Sequence, residues 1–216
     1  MTNFISLAIA TVSNWIFPPR RTERLVSLVE MNDILSLPRS IDIDSTTCAL
    51  FSYKDARVSA LIWEIKYHKN MRAIEAVAPL LADIILEEYA ERSLFENWSQ
   101  CLLVPVPSSK NKVKKRGYSH TELIAQAVAK NLPKSIVYSP NVLKKVTETL
   151  EQNKLPNRAL RLKNLVNSQE VIGSLPEGAV VILLDDVTTT GATLLESRRA
   201  LIAEGVKNII AFTIAH

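Results

Sequence analysis

Two adjacent carboxylates and a run of hydroxyl side chains follow a strongly apolar stretch at residues 180–184. The carboxylates are Asp185 and Asp186, and four threonines lie between positions 188 and 193. Five apolar residues in a row are typical of a strand buried on both faces, and the apolar spacing after residue 193 predicts a helix. Hydroxyls and backbone N–H groups at the start of a helix suit a phosphate. The predicted phosphate-binding loop, the threonine loop, consists of Thr188, Thr189, Thr190, Gly191, Ala192 and Thr193.

The two carboxylates need a different explanation, because they would repel the phosphate. They can accept hydrogen bonds from sugar hydroxyls, or help to hold a divalent cation that the ligand brings. The structural alternative is an ordinary strand, turn and helix with a capping threonine. Capping explains one threonine but neither the other three nor the paired aspartates.

A second group of candidate residues follows the apolar run at residues 101–104. We predict that residues 108–117 form a basic loop, with five basic side chains between positions 110 and 116. In a pyrophosphate site, Ser108 and Ser109 would let the backbone approach while Lys110 and Arg116 neutralise charge. A solvated charged turn is one alternative. A nucleic-acid patch is another, although Tyr118 is the only aromatic residue near it in the sequence.

A third candidate is the polar, charged stretch at residues 147–164. It is either a linker or a closing lid that excludes water and brings positive charge to a cationic sugar. The candidate lid charges are Lys144, Lys145 and Arg158.

Strand and helix patterns alternate along the chain, which predicts an α/β fold with a mostly parallel sheet. Strands are expected at about residues 48–53, 101–104, 136–146, 180–184 and 208–214, and residues 38–47 are expected to be a loop. Asp55 and Ser119 are expected to cap helices. The ladder of the second strand should end near Val104, because Pro105 cannot donate a backbone hydrogen bond.

Composition is ordinary for a globular protein: 216 residues, 47% hydrophobic and 22% charged, with a net charge of +4. The mildly basic balance fits an anionic ligand and is too weak to indicate nucleic-acid binding by itself. Cys48 and Cys101 are predicted to be buried free thiols, which fits the reducing cytoplasm. No metal site is predicted, since the three histidines are scattered.

The first seventeen residues lack a basic beginning and are interrupted by polar residues, so they predict neither a signal peptide nor a membrane span. Their apolar residues share one helical face. We expect an amphipathic helix that docks on the protein or on a partner. Membrane-surface binding is the less favoured alternative, because the polar face lacks Lys and Arg.

The stretch 180–193 resembles the phosphoribosyl-pyrophosphate (PRPP) signature of type I phosphoribosyltransferases. The wider pattern is similar to the ComF-like branch of that family, which is linked to DNA uptake in competent bacteria. The matching features are Lys66-Tyr67, the Val-Pro-Val-Pro at 104–107, Arg116-Gly117, and the spacing of Thr149, Gln152 and Leu155. The zinc-binding cysteines often found after Phe-Pro-Pro in that family are absent after residues 17–19, and Tyr-Ser-His replaces the usual Phe-Asn-Gln after Gly117.

The resemblance implies a phosphoribosyltransferase-like domain at residues 53–216 behind an N-terminal helical appendage, or hood, at residues 1–52. It implies that Asp185 and Asp186 bind the ribose, that the threonine loop holds the 5′-phosphate, and that Mg²⁺ arrives with PRPP. The pyrophosphate would lie against Ser108, Ser109, Lys110 and Arg116, and Lys66 would join the lid charges. The implied activity is that of a pentosyl-transferring glycosyltransferase, with an acceptor that the sequence does not identify.

Thr189 stands where purine-salvage relatives carry a carboxylate, which argues against a standard purine-salvage enzyme. Two alternatives stay open: a non-catalytic regulator that senses PRPP or a nucleotide, and a DNA-processing accessory protein. The expected partners are PRPP and the acceptor, with single-stranded DNA, competence proteins and a second copy of the chain as further alternatives.

Overall fold

The fold is built on a six-stranded sheet in the order β1-β2-β8-β7-β3-β4. The computed structural model describes residues 20–27, 34, 36–44, 46–94, 98, 101–147 and 166–216. Its strands are β1 Arg39–Asp44, β2 Thr47–Phe51, β3 Cys101–Pro105, β4 Ile136–Tyr138, β5 Leu143–Lys145, β6 Gln169–Val171, β7 Val180–Val187 and β8 Asn208–Ala215. Its helices are α1 Arg21–Ser27, α2 Ala56–His68, α3 Met71–Ser93, α4 Lys110–Arg116, α5 His120–Ala129 and α6 Ala192–Ala203.

All neighbouring strands of this sheet are parallel except the β1–β2 pair. The mostly parallel α/β fold predicted from the sequence is therefore confirmed. Strands β5 and β6 form a separate antiparallel pair.

The central strand β7 divides two apolar cores. Val180, Ile182 and Leu184 belong to the larger core, which holds α2, α3 and α5, and Val181 and Leu183 belong to the smaller core beside α6. Alternate residues of a strand point to opposite faces. The strand is apolar without interruption because both faces are covered.

The predicted helix caps are confirmed. Asp55 Oδ1 accepts a hydrogen bond from Arg57 N at 2.8 Å, and Ser119 Oγ accepts one from Glu122 N at 3.4 Å. Each cap satisfies a backbone N–H group that has no partner within the helix. These caps set the starts of α2 and α5, the helices that carry Lys66 and His120.

The expectation of a loop at residues 38–47 is wrong, because β1 is an edge strand antiparallel to β2, and β2 pairs with β8. The overlooked signal is the alternation of Ile41 and Ile43 with polar residues, which is the period of a strand with one polar face. The sheet consequently extends across the predicted boundary between residues 52 and 53. The predicted helix at residues 1–17 lies outside the described residues.

Strand β3 also runs further than expected. Its ladder with β7 includes Pro105, and Val106 N donates to Leu184 O at 2.9 Å. Hydrogen-bonding groups of successive residues point to alternate sides, so the missing N–H of Pro105 faces the β4 side. There Ser139 N already donates to Leu103 O as β4 ends, and the ladder needs no donor at Pro105.

Cys101 is buried and Cys48 is partly buried, and both are free thiols. Burial raises the pKa of Cys101 to about 11. Across the ranges that the structure describes, every helix is too short or too polar to span a bilayer.

Candidate functional site

The candidate site lies at the edge of the sheet where β3, β7 and β8 end. Pro105 is in register with Leu184, and Val187 with Ala215. Thr188 N donates to Ala215 O at 3.1 Å, so the loop after β7 leaves beside the end of β8. Ligands of open α/β sheets bind outside these carboxyl ends. The structure therefore brings the loops after β3 and β7 to the edge where a ligand is expected.

The threonine loop connects β7 to the first turn of α6. Gly191 caps that helix with a φ of 72°, a left-handed conformation that favours glycine. Ala192 N donates to Thr190 Oγ1 at 3.4 Å, and Thr189 is exposed at the tip of the loop. A cavity of about 420 Å³ adjoins the loop and continues towards Arg198 and His216. The first turn of α6 thus presents the N–H groups and hydroxyls that an anion requires.

Asp186 is held by two basic groups from different helices. Its Oδ2 lies 2.6 Å from Lys66 Nζ on α2 and 3.1 Å from His120 Nε2 on α5, and its Oδ1 accepts a hydrogen bond from Val187 N at 2.8 Å. Burial alone would raise the pKa of Asp186, but the positive charge of Lys66, with the His120 ring beside it, outweighs that effect and holds the pKa well below its usual range. Burial would lower the pKa of Lys66, and the Asp186 carboxylate outweighs that effect, so the pKa is raised. Asp186 and Lys66 therefore form an ion pair.

Asp185 has the opposite electrostatics. Its Oδ1 accepts a hydrogen bond from Asp186 N at 2.9 Å. Burial, followed by the charge of Asp186, raises the pKa of Asp185 to about 8. A protonated carboxyl can both donate and accept hydrogen bonds, as a sugar hydroxyl does. It also adds no negative charge beside a phosphate, which removes the repulsion expected from two ionised aspartates.

The end of α2 is fixed beside α5 by Tyr118. Lys69 N donates to Tyr118 Oη at 2.8 Å, and Tyr118 Oη donates to Ile65 O at 3.4 Å. Both partners belong to the last turn and cap of α2, and Tyr118 precedes the cap of α5 by one residue. This contact is the local reason why Lys66 and His120 reach the same carboxylate.

Arg116 contacts the side of the His120 ring that does not face Asp186. Its Nη1 lies 3.3 Å from His120 Nδ1, and its guanidinium carbon lies 4.6 Å from the centre of the Tyr67 ring. Tyr67 in turn packs on Trp63, with the ring centres 4.3 Å apart. Tyr118 is the only aromatic residue near the basic stretch in the sequence, but the fold brings Tyr67 and Trp63 of α2 beside it as well.

The predicted basic loop is also wrong over most of its length, since residues 110–116 form helix α4. Lys and Arg are good helix formers, Ser109 caps the helix by accepting a hydrogen bond from Lys112 N at 3.3 Å, and Gly117 ends it with a φ of 81°. Lys110 and Arg116 consequently lie at opposite ends, roughly 9 Å apart along the helix axis. Arg116 lies beside His120 and Tyr67, and Lys110 is exposed at the other end, directly after the loop that holds Ser108.

Of the candidate lid residues, Lys66 lies in this group, where it pairs with Asp186. Lys144 and Lys145 lie on β5, whose Leu143 packs in the smaller core. Arg158 and the predicted lid segment lie outside the described residues. The residue that the sequence interpretation missed is His120. Its position directly after a predicted helix cap was a weak local signal, but its partners come from α4 and β7.

Comparison with known proteins gives modest similarities, and no family model matches the chain. The DNA utilization protein YhgH of Salmonella typhimurium is 28% identical over 153 residues, which cover 70% of this chain and 64% of that protein. Competence protein F of Haemophilus influenzae is 33% identical over 115 residues, covering 52% and 49%. Competence protein ComFC of Bacillus subtilis is 27% identical over 114 residues, covering 52% and 43%. The chain thus matches less than two thirds of the length of each of these relatives.

Among solved structures, a hypoxanthine phosphoribosyltransferase from Staphylococcus aureus overlaps 66% of this chain and 62% of its own, with 13% identity and a TM-score of 0.39. A similarity with such a low identity and TM-score has no bearing on function. The resemblance to ComF-like proteins that the sequence motifs indicate is confirmed by the relatives, which carry competence and DNA utilization names.

Proposed function

We propose that this protein binds PRPP and transfers its phosphoribosyl group to an acceptor, with release of pyrophosphate. The observation that carries the proposal is the meeting of three features at one sheet edge: the threonine loop, the buried Asp185–Asp186 pair, and Arg116. A phosphate, a sugar diol and a second anion are the groups that these features suit. PRPP combines all three in one molecule.

Each feature has a distinct role in the proposed reaction. The N–H groups and hydroxyls of residues 188–193 hold the 5′-phosphate, and Asp185 and Asp186 bind the ribose hydroxyls. Arg116, with Ser108, Ser109 and Lys110 as further candidates, attracts the pyrophosphate of the Mg²⁺–PRPP substrate. The bond between the anomeric carbon and pyrophosphate breaks, the electron pair leaves with pyrophosphate, and the acceptor forms the new bond. Positive charge develops on the sugar, so catalysis consists of positioning the reactants and of electrostatic stabilisation.

Isothermal titration of the protein with PRPP and Mg²⁺ tests the first step. We expect saturable binding by the wild type and its loss in Asp185→Asn/Asp186→Asn. Asp83→Asn, an exposed change on α3, is the matched control and should bind normally. Absence of binding by the wild type, or unchanged binding by the double variant, would refute the proposal.

Pyrophosphate release then separates an enzyme from a sensor. Nucleobases and amines are screened as acceptors in the presence of PRPP and Mg²⁺. Release that depends on an acceptor supports the transferase. PRPP binding without release by any acceptor would favour the non-catalytic regulator.

A second candidate function is binding of single-stranded DNA, in keeping with the names of the relatives. The observation that favours it is the cluster of Trp63, Tyr67 and Arg116 at the end of α4, a helix that has no buried residue. Aromatic rings beside basic residues are typical of surfaces that bind single strands. Trp63 and Tyr67 are 49% and 42% exposed, so bases could stack on them.

Salt-dependent DNA binding tests this candidate. Lys114→Ala/Lys115→Ala removes two exposed charges of α4 and should reduce the slope of log affinity against log salt by about 1.4. Lys134→Ala/Lys207→Ala removes the same charge before β4 and β8, at the opposite edge of the sheet, and should leave the slope unchanged. Equal effects of the two pairs would contradict a specific surface at α4.

A further inference from the structure

His120 lies between the Asp186 carboxylate and the Arg116 guanidinium, and these two groups restrict where its imidazole can carry a proton. The residue is 6% exposed. Its Nε2 is 3.1 Å from Asp186 Oδ2, and its Nδ1 is 3.3 Å from Arg116 Nη1. One ring thus connects the end of α4 to the end of β7.

The hydrogen-bonding capacity of these groups selects one form of the imidazole. A guanidinium only donates hydrogen bonds, so Nδ1 must accept and carries no proton. A neutral imidazole whose Nδ1 is unprotonated carries its proton on Nε2, and this nitrogen faces the ionised Asp186 carboxylate at 3.1 Å. The network therefore assigns the neutral Nε2–H tautomer to His120.

This tautomer holds Arg116 without neutralising it. Both contacts of the guanidinium that the structure describes, to the imidazole nitrogen and to the Tyr67 ring, are contacts with uncharged groups. The negative charge of Asp186 is meanwhile compensated by Lys66, 2.6 Å away. A carboxylate or a second cation in place of His120 would either cancel the charge of Arg116 or repel it. The imidazole fixes the direction of Arg116 and leaves its charge available to an anion.

We propose that His120 is a positioning residue that aims the Arg116 guanidinium at a diphosphate group and ties it to Asp186. The inference rests on the proposed function, because it takes the diphosphate of PRPP as the ligand group that Arg116 meets. It adds a residue, and a required tautomer, that the sequence motifs do not assign.

The binding test compares five variants with the wild type, using Mg²⁺–PRPP and Mg²⁺–pyrophosphate as probes in isothermal titration. His120→Phe keeps a ring but has no polar atom, and Arg116→Gln removes the guanidinium. Each should weaken binding at least about tenfold, and the double variant should be no weaker than the weaker single variant, because both remove the same contact. His120→Gln keeps one donor and one acceptor and should stay within about threefold of the wild type. His68→Phe, at an exposed histidine of α2, is the control and should bind normally.

Unchanged binding by His120→Phe, or additive losses in the double variant, would overturn the inference. Equal weakening by His120→Gln and His120→Phe would overturn it too, since ring shape rather than hydrogen bonding would then matter. If PRPP does not bind but pyrophosphate binds in a His120-dependent way, the proposed function fails and the role of His120 stands. If neither probe binds, both fail.

The ¹⁵N resonances of the His120 ring provide a test that needs no variant to fold. In the wild-type protein without ligand, at pH 7.5, we expect an unprotonated Nδ1 and a protonated Nε2. The opposite tautomer, or a doubly protonated ring, would overturn the assignment on which the inference depends.

Discussion

Lys66 Nζ lies 2.6 Å from Asp186 Oδ2, which joins helix α2 to the carboxyl end of β7. The Asp186 side chain is 5% exposed and that of Lys66 is 28% exposed, so the pair is largely withdrawn from water. Removing one partner of such a pair leaves a buried charge without compensation, which costs more than the pair itself contributes. The contact therefore has consequences for stability as well as for the charge of the candidate site.

Replacing Lys66 with methionine should lower the free energy of unfolding by about 3 kcal/mol, because Asp186 would remain ionised and keep only His120 as a basic partner. Urea denaturation measures the change. The double variant Lys66→Met/Asp186→Asn should recover at least half of the loss. Lys130→Met, at an exposed position after α5, is the control and should change stability by less than about 0.5 kcal/mol. Equal effects of Lys66→Met and Lys130→Met would show that the pair is not stabilising.

The features that the sequence predicts well are those fixed by local patterns. Strand β7 is recognisable because burial on both faces leaves an unbroken apolar run, and Asp55 and Ser119 are recognisable because caps act within three residues. Helix α4 has the same kind of local signals, a serine before it and a glycine after it. Its basic residues suggest a pyrophosphate-binding loop or a solvated turn, although Lys and Arg also favour a helix.

The contacts of the candidate site are less accessible to sequence reasoning, because they depend on how distant segments pack. Asp185 and Asp186 are adjacent in sequence, yet one has a raised and the other a lowered pKa. The difference arises from Lys66 and His120, which come from two other elements. Nothing local to residue 120 indicates that its ring reaches β7. The motif identifies the carboxylates, and only the packing of α2 and α5 distinguishes them.

Glu64 on α2 joins that helix to the start of α1. The carboxylate is fully buried, and it accepts hydrogen bonds from Arg20 Nη2 at 2.9 Å and from Thr22 Oγ1 at 2.7 Å. Burial would raise the pKa of Glu64, but these hydrogen bonds and the charge of Arg20 outweigh it and hold the pKa below its usual range. A lowered pKa in the folded state means that this contribution to stability is lost as the pH falls.

Glu64→Gln should therefore lower the free energy of unfolding by about 1–3 kcal/mol at pH 7, and the difference from wild type should shrink as the pH falls below about 4. Urea titrations at several pH values measure both effects. Glu75→Gln, at an exposed position on α3, should have little effect at any pH. A Glu64→Gln difference that stays constant down to pH 3 would contradict the ion pair with Arg20.

The raised pKa of Asp185 predicts a pH dependence of the opposite sign. In the unfolded chain Asp185 ionises near its ordinary value, whereas in the folded protein it stays protonated up to about pH 8. Raising the pH therefore favours the unfolded state over the folded state. The free energy of unfolding falls by at most about 1.4 kcal/mol per pH unit between pH 4 and 8. Asp186, whose pKa is lowered, changes stability only below this window.

Asp185→Asn should remove this slope. The free energy of unfolding of the wild type minus that of the variant should decline steadily from pH 4.5 to pH 8 when both are measured by urea denaturation. Asp83→Asn is the control and should give a flat difference. A difference that is flat or rises with pH for Asp185→Asn would mean that Asp185 is ionised in the folded protein.

Gly191 and Gly205 provide a matched pair at the two ends of α6. Both adopt left-handed backbone conformations, with φ of 72° and 84°, and a Cβ atom added at either would meet nothing within 4 Å. Alanine at each should therefore cost about 1–2 kcal/mol through backbone strain alone. Only Gly191 belongs to the threonine loop, where that strain would also displace the N–H groups of the first turn.

We expect Gly191→Ala to weaken Mg²⁺–PRPP binding about tenfold in isothermal titration, which corresponds to about 1.4 kcal/mol. Gly205→Ala should lose similar stability in urea and bind as the wild type does. Because the two variants match in strain and in space, a difference in binding can only come from the position of the loop. Equal weakening of binding by both variants would assign the effect to lost stability. Unchanged binding by Gly191→Ala would show that the threonine loop does not hold the ligand.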